Sequence, residues 1–125
     1  MAWNSDELAR IGGADELEIA SRRDDGTLRP YVTIWVVRAG DQLYVRSAYG
    51  TENGWFRRAR AAGAGRIRAG GVERDVTFAD ASAADPGPID RVYHEKYDHY
   101  GPKYVDPVVG AKAAEATLAL IPQDS

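Results

Sequence analysis

Tyr31-Val32-Thr33-Ile34-Trp35-Val36-Val37-Arg38-Ala39-Gly40-Asp41-Gln42-Leu43-Tyr44-Val45-Arg46 is the stretch on which the fold of this chain turns. Its first half is β-branched or aromatic on both faces. That pattern predicts one strand from Arg29 to Arg38, central in its sheet and buried on both sides. Pro30 stands at the first end, where a missing donor is tolerated. Ala39-Gly40-Asp41 makes a turn, and Gln42 to Ala48 returns as a second strand. There Leu43 and Val45 share one face, while Tyr44 and Arg46 share the other.

Upstream, Asn4 or Ser5 can cap a short helix with Asp6 and Glu7 in its first turn, stopped by Gly12-Gly13. Glu16 to Ser21 alternates as a half-buried strand, and Asp24-Asp25-Gly26-Thr27 is a turn signal. Downstream, Arg66-Ile67-Arg68 and Val72 to Phe78 read as a hairpin around Gly70-Gly71. Asp85-Pro86-Gly87-Pro88 breaks the chain. Ile89 to Tyr100 reads as a helix carrying Tyr93, Tyr97 and Tyr100 on one stripe, ended by Gly101-Pro102. Val108 to Ala116 reads as a further helical piece, and Ala116 to Ile121 as a last strand. The expectation is mainly β with flanking helices: a six-stranded barrel in a single domain, residues 1–125.

Apolar residues make up 44% and charged residues 28% of the chain, enough for an ordinary packed core. With no cysteine, disulfides, thiolate metal sites and cysteine catalysis are excluded. No run approaches the roughly 20 apolar residues that span a bilayer. Met1 to Glu7 lacks the basic and apolar regions of a signal peptide. A cytoplasmic protein without membrane attachment is expected. The net charge of −3 also speaks against general nucleic-acid binding.

Against that acidic background lies a basic island. Seven arginines fall between Arg46 and Arg74, with only Glu52 and Glu73 as acids, which leaves the stretch at +5. Its centre runs from a strand through a Gly-containing polar turn into an arginine-rich helix, Gly54 to Ala62. Free N–H groups at a helix start, with guanidinium groups nearby, suit a phosphate. A solvated helix face fits the same residues. Arg46 fits either a ligand contact or a salt bridge to an acid across its hairpin. Ser47, Thr51 and Asn53 can donate to an anion, and Asn53 equally suits a helix N-cap. Trp35 reads as core and Trp55 as either core or a ring that stacks on a ligand. His94 with Asp98 and Glu95 with His99 form i,i+4 pairs. These fit a poised proton-transfer imidazole or plain surface pairing. No metal ligand set, glycine-rich dinucleotide fingerprint or hydrolase triad is present.

One resemblance spans nearly the whole chain. Glu18-Ile19-Ala20-Ser21-Arg22-Arg23, Asp25-Gly26, Leu28-Arg29-Pro30, Ile34-Trp35-Val36-Val37, Tyr44-Val45-Arg46-Ser47, Gly50, Trp55-Phe56-Arg57-Arg58, Gly65-Arg66-Ile67 and Tyr93-x-x-Lys96-Tyr97 together resemble a bacterial family, the domain of unknown function 2255. That family is similar to the flavin-binding split-barrel superfamily of deazaflavin-dependent nitroreductases and pyridoxamine phosphate oxidases. The resemblance implies a six-stranded split β-barrel, a homodimer, and FMN or a deazaflavin in a groove. It implies oxidoreductase chemistry on a small organic substrate. The cofactor-holding loop corresponds to Arg46, Ser47, Tyr49, Gly50, Thr51, Asn53, Gly54, Trp55 and Phe56, with Arg57 and Arg58 as a phosphate clamp. Tyr97, Tyr100 and Tyr104 correspond to the substrate side, and Tyr97, Tyr100 and His94 are the candidate catalytic residues. Two departures stand out. Arg58 replaces the relatives' asparagine, and Thr51-Glu52-Asn53 replaces their loop lysine. They leave open a cofactor-free barrel that handles an anionic metabolite, or a homodimeric interaction domain without chemistry.

Overall fold

The computed structural model describes residues 2–123. Helix α1 (Ser5–Gly12) precedes strands β1 (Leu17–Ser21), β2 (Val32–Ile34), β3 (Val37–Ala39) and β4 (Gln42–Arg46). Helix α2 (Gly54–Ala62) leads into the hairpin β5 (Ala64–Ala69) and β6 (Val72–Asp80). Then come α3 (Pro86–Tyr97), a 3-10 turn (Asp98–Tyr100), α4 (Pro102–Val105), a 3-10 turn (Asp106–Val108), α5 (Ala111–Glu115) and strand β7 (Thr117–Pro122).

Several local expectations hold. Asn4 caps α1, its Oδ1 accepting from Glu7 N–H at 2.8 Å while the Glu7 carboxylate accepts from Asn4 N–H at 3.2 Å. Leu43 and Val45 enter the main core, and Tyr44 packs on the opposite side. The β5–β6 hairpin pairs Arg66 with Asp75 and Arg68 with Glu73. Gly65 is required at its place: a Cβ there would stand 2.1 Å from the Ala20 carbonyl oxygen and 2.9 Å from the Phe78 ring. Asp85-Pro86 starts α3 rather than only breaking the chain. Asp85 Oδ1 accepts from Gly87 N–H at 3.0 Å, and proline is at home in a first helical turn. The helix ends at Tyr97, so Tyr100 sits in the following 3-10 turn and the three tyrosines share no single straight stripe. The piece expected from Val108 to Ala116 is instead α4, a 3-10 turn and α5.

The sheet itself corrects the strand count. It has seven antiparallel strands in the order β2-β1-β5-β6-β7-β4-β3, curled into a half-barrel, where six were expected. The expected Arg29–Arg38 strand is not central. It is cut at Trp35-Val36, and its halves, β2 and β3, lie at opposite edges of the sheet. Side chains of α3 explain the cut. Val36 N–H donates to Tyr97 Oη at 3.2 Å, and Val36 O accepts from Lys96 Nζ at 2.6 Å. Tyr97 Oη, which can donate its one proton to either, lies 2.7 Å from Asp15 O and 3.0 Å from Val36 O. Backbone groups that would join a ladder are satisfied by α3 instead, so the chain turns a corner there without orphaned polar groups. Trp35 and Val36 then serve different cores. Val36 enters the cluster formed with α1, α2 and the inner sheet face, and Trp35 packs against the cluster under α3. Trp35 and Tyr97 stack with ring centroids 3.9 Å apart and planes 1° from parallel.

Candidate functional site

Arg46 closes β4 with its side chain wholly buried. The strand's alternation turns it away from Val45 and toward α3, not across its own hairpin. Its Nε donates to Thr117 Oγ1 at 2.9 Å, and its Nη1 to Val108 O at 2.9 Å and to the Asp90 carboxylate. The other Asp90 oxygen accepts from Gly110 N–H at 3.3 Å. The guanidinium carbon lies 5.5 Å from the Tyr93 ring centroid. Arg46 Nη2 and the Tyr93 hydroxyl are buried and have no partner. A buried donor without an acceptor costs about 1–3 kcal/mol, and with no side-chain surface open to solvent the guanidinium lies behind the wall of the neighbouring opening rather than on it. Burial also holds the Tyr93 phenol far above its ordinary range, which keeps it neutral.

That opening is a cleft of about 490 Å³. Its walls come from Val32 to Trp35, from Arg46, Ala48, Tyr49, Asn53 and Trp55, and from Lys103, Tyr104, Pro107 and Val108. It is mainly aromatic and aliphatic, with a few polar groups, the usual make-up of a small-molecule site. Asn53 occupies the N-cap position of α2 but its side chain caps nothing, and no acid stands in the first turn. The helix start is therefore uncapped.

On the far side of Trp55 lies a second opening of about 550 Å³, lined by Arg22, Arg29, Arg57, Arg58 and Arg60 with Asp24 as its acid. Arg58 lies back along α2: a Cβ on Gly54 would stand 2.9 Å from Arg58 Nη1. A gap of about 10 Å³ sits between the two openings. Val32 and Trp55 line both the gap and the cleft, and Arg29 and Arg58 line both the gap and the arginine groove.

The expected cofactor residues thus divide. Arg46, Tyr49, Asn53 and Trp55, with Tyr104, line the cleft, whereas Gly54, Arg57 and Arg58 line the groove. Trp35, read from its strand as core, is a cleft wall stacked on Tyr97. Phe56 and Ser47 are buried, and Ser47 Oγ accepts from Tyr49 N–H at 3.3 Å. Gly50, at φ 79°, and Thr51 form the turn between them and line neither opening. Nor does the exposed Glu52.

Tyr97, Tyr100 and His94 are likewise not cleft walls. Tyr97 holds the Trp35-Val36 corner. Tyr100 Oη donates to the Asp15 carboxylate at 2.7 Å, which raises its pKa. His94 pairs with Asp98 at 2.8 Å on the open surface. His99 makes no pair with Glu95 and lies against Tyr100, with ring centroids 4.1 Å apart. Lys96 donates inward, and burial lowers its pKa to about 8. Residues missed in the sequence are Thr33, Lys103, Pro107 and Val108 in the cleft, and Arg22, Arg29 and Arg60 in the groove. Among the described residues no group of three potential metal ligands occurs. No helix is long and apolar enough to cross a membrane.

Residues 7–120 match the model of a family described as an uncharacterized protein conserved in bacteria, DUF2255. Among curated proteins no sequence matches. Solved structures supply the fold. A structure described as an F420 reductase superposes with a TM-score of 0.61 at 17% identity, covering 94% of this chain and 93% of that one. A putative pyridoxamine 5'-phosphate oxidase from Listeria innocua superposes at 0.60 with 13% identity, covering 94% and 90%. An FAD and heme binding protein from Mycobacterium smegmatis superposes at 0.52 with 19% identity, covering 98% and 75%.

Proposed function

We propose, because the chain belongs to the DUF2255 family and shares its fold with flavin- and F420-related proteins, that it binds FMN or a deazaflavin in the Trp35–Trp55–Tyr104 cleft as an oxidoreductase for a small organic substrate. The observation that carries this reading is a cleft walled by aromatic rings, with the charge of buried Arg46 held behind its wall. A flavin-type ring is flat and apolar across its faces, with carbonyl acceptors on one edge. Trp35, Trp55 and Tyr104 supply stacking surfaces, and Arg46 supplies a positive charge behind the wall that attracts that edge. When bound, such a group supplies hydride or electron transfer. The protein's part is to bind, orient and tune it.

Asp90 and Thr117 hold the Arg46 guanidinium rigid, so its positive charge is already in place to offset negative charge on the ring edge. Tyr97 fixes the plane of Trp35 by stacking. Asn53, freed from capping, offers an amide donor and acceptor to the same space. Lys103 and Tyr104, exposed on the rim, are placed to meet a substrate entering over the ring.

The test is retention of cofactor. The purified protein is incubated with FMN, FAD or F420, desalted, and its visible spectrum and melting temperature are recorded. A bound chromophore with a raised melting temperature is expected, weakened by Trp55→Ala and Asn53→Ala. If no cofactor is retained and none moves the melting temperature, the reading is wrong.

A further inference from the structure

We infer that Trp35 and Tyr100 form an exit route for oxidising equivalents, in which the surface phenol of Tyr100 gives an electron to the oxidised indole of Trp35 in the cleft wall and its proton to Asp15. This goes beyond the reading above and rests on it only for a one-electron oxidant arising in the cleft.

Ring geometry supplies the path. Trp35 lines the cleft and stacks on Tyr97 with centroids 3.9 Å apart. Tyr100 stacks on the same indole at 5.6 Å and lies 6.3 Å from Tyr97. Its ring is 43% exposed. The stack therefore runs from the cleft wall to the surface with each ring in contact range of the next.

Charges and proton acceptors decide where a positive hole comes to rest. Two inner tyrosines each face a cation. The Arg46 guanidinium carbon lies 5.5 Å from the Tyr93 ring, and Lys96 Nζ lies 5.0 Å from the Tyr97 ring. Positive charge at that range repels an arriving hole. Neither hydroxyl meets a good base, since that of Tyr93 has no partner and that of Tyr97 meets only backbone carbonyls. Tyr100 differs on both counts. Its hydroxyl donates to the Asp15 carboxylate at 2.7 Å, and Glu16 adds negative charge nearby. A phenol that loses an electron becomes strongly acidic, and a carboxylate already bonded to that proton takes it without rearrangement. A stack built only to fill a core has no need of a base on its outermost ring.

The electrons and the proton balance. Trp35 gives one electron to the oxidant in the cleft, Tyr100 gives one electron to Trp35, and the Tyr100 proton moves to Asp15. A soluble thiolate or enediolate then returns one electron to the exposed ring, and Asp15 returns the proton. Oxidative damage is thereby moved off the cleft wall.

Pulse radiolysis of the purified protein in azide solution tests this. Azidyl radicals oxidise indoles, and the indolyl and phenoxyl absorptions are followed in time. A first-order conversion of indolyl into phenoxyl, independent of protein concentration, is expected. Asp15 and Tyr100 are exposed, so variants there keep the fold. Tyr100→Phe should abolish the phase. Asp15→Asn, which keeps the ring and removes the base, should slow it at least about tenfold, the scale of one charge-assisted hydrogen bond. No conversion in wild type overturns the inference, as does a phase left unchanged by either variant. The oxidant is made in solution, so the outcome does not depend on a cofactor. Cofactor retention without the phase sinks the route alone, and the phase without cofactor retention sinks the ring reading alone.

Discussion

Asp90, Tyr93, Lys96 and Tyr97 project from α3 into the protein, whereas Arg57, Arg58 and Arg60 project from α2 away from it. Of those four side chains on α3, three are committed. Asp90 holds Arg46, Lys96 and Tyr97 hold Val36, and the Tyr93 hydroxyl alone lacks a partner. On α2 no arginine has a carboxylate partner among the described residues, and Arg60 only lies over the Phe56 ring at 5.2 Å. Both helices pack an apolar face on the same sheet. The difference teaches that polar residues facing inward here build the scaffold, whereas those facing outward on α2 take no part in it.

The sharpest way to break the contrast is Asp90→Ala. It leaves the Arg46 guanidinium buried without its counter-ion, and should cost about 3–5 kcal/mol in urea unfolding. A cost below about 1 kcal/mol would mean that Arg46 is not committed to α3. Tyr97→Phe comes next. It removes the acceptor of Val36 N–H and should cost about 1–3 kcal/mol, with faster hydrogen exchange at Val36.

Lys96 gives a pH signature. Its folded-state pKa, about 8, lies below the ordinary lysine value. Between those values the unfolded chain holds the proton and the folded one releases it, so stability rises with pH. Below about 8 the amine is charged in both states and the cost of burying it is felt in full. Wild type should therefore gain melting temperature relative to Lys96→Met between pH 8 and 10. A flat difference would mean the amine is effectively solvated. The smallest effect belongs to α2: Arg57→Ala and Arg58→Ala should each change stability by less than about 0.5 kcal/mol. A larger loss in urea unfolding would make these arginines structural and erase the contrast.

Much of this was legible along the chain. Alternation in Gln42–Arg46 put Leu43 and Val45 on one face and Tyr44 and Arg46 on the other, because a strand's period is two. The capping box at Asn4 and the β5–β6 hairpin depend on neighbours a few residues apart, which a sequence displays directly. Four of the nine residues of the expected cofactor loop likewise line the cleft: Arg46, Tyr49, Asn53 and Trp55. The rest was hidden for one kind of reason. Arg46 meets Asp90 and Thr117, and no local pattern announces an acid or hydroxyl so far along the chain. Thr33, Lys103 and Arg29 join their openings only because separate elements converge there. Tyr97 and His94 looked reactive by residue type, yet one is spent on backbone and the other faces water.

By itself the sequence determined the local grammar of this protein: mainly antiparallel strands, their inward and outward faces, the helix starts, and an arginine surplus in one region. Tertiary structure alone decided where that surplus goes: one guanidinium into the interior, three around a groove beside α2 and three into ion pairs. It also decided that the most strand-like stretch would be cut at Trp35-Val36. The physical reason is common to both. A hydrophobic pattern records which face is buried, but the partner of a buried charge or an unpaired amide is fixed by the packing of α3, sixty residues away for Val36 and Lys96.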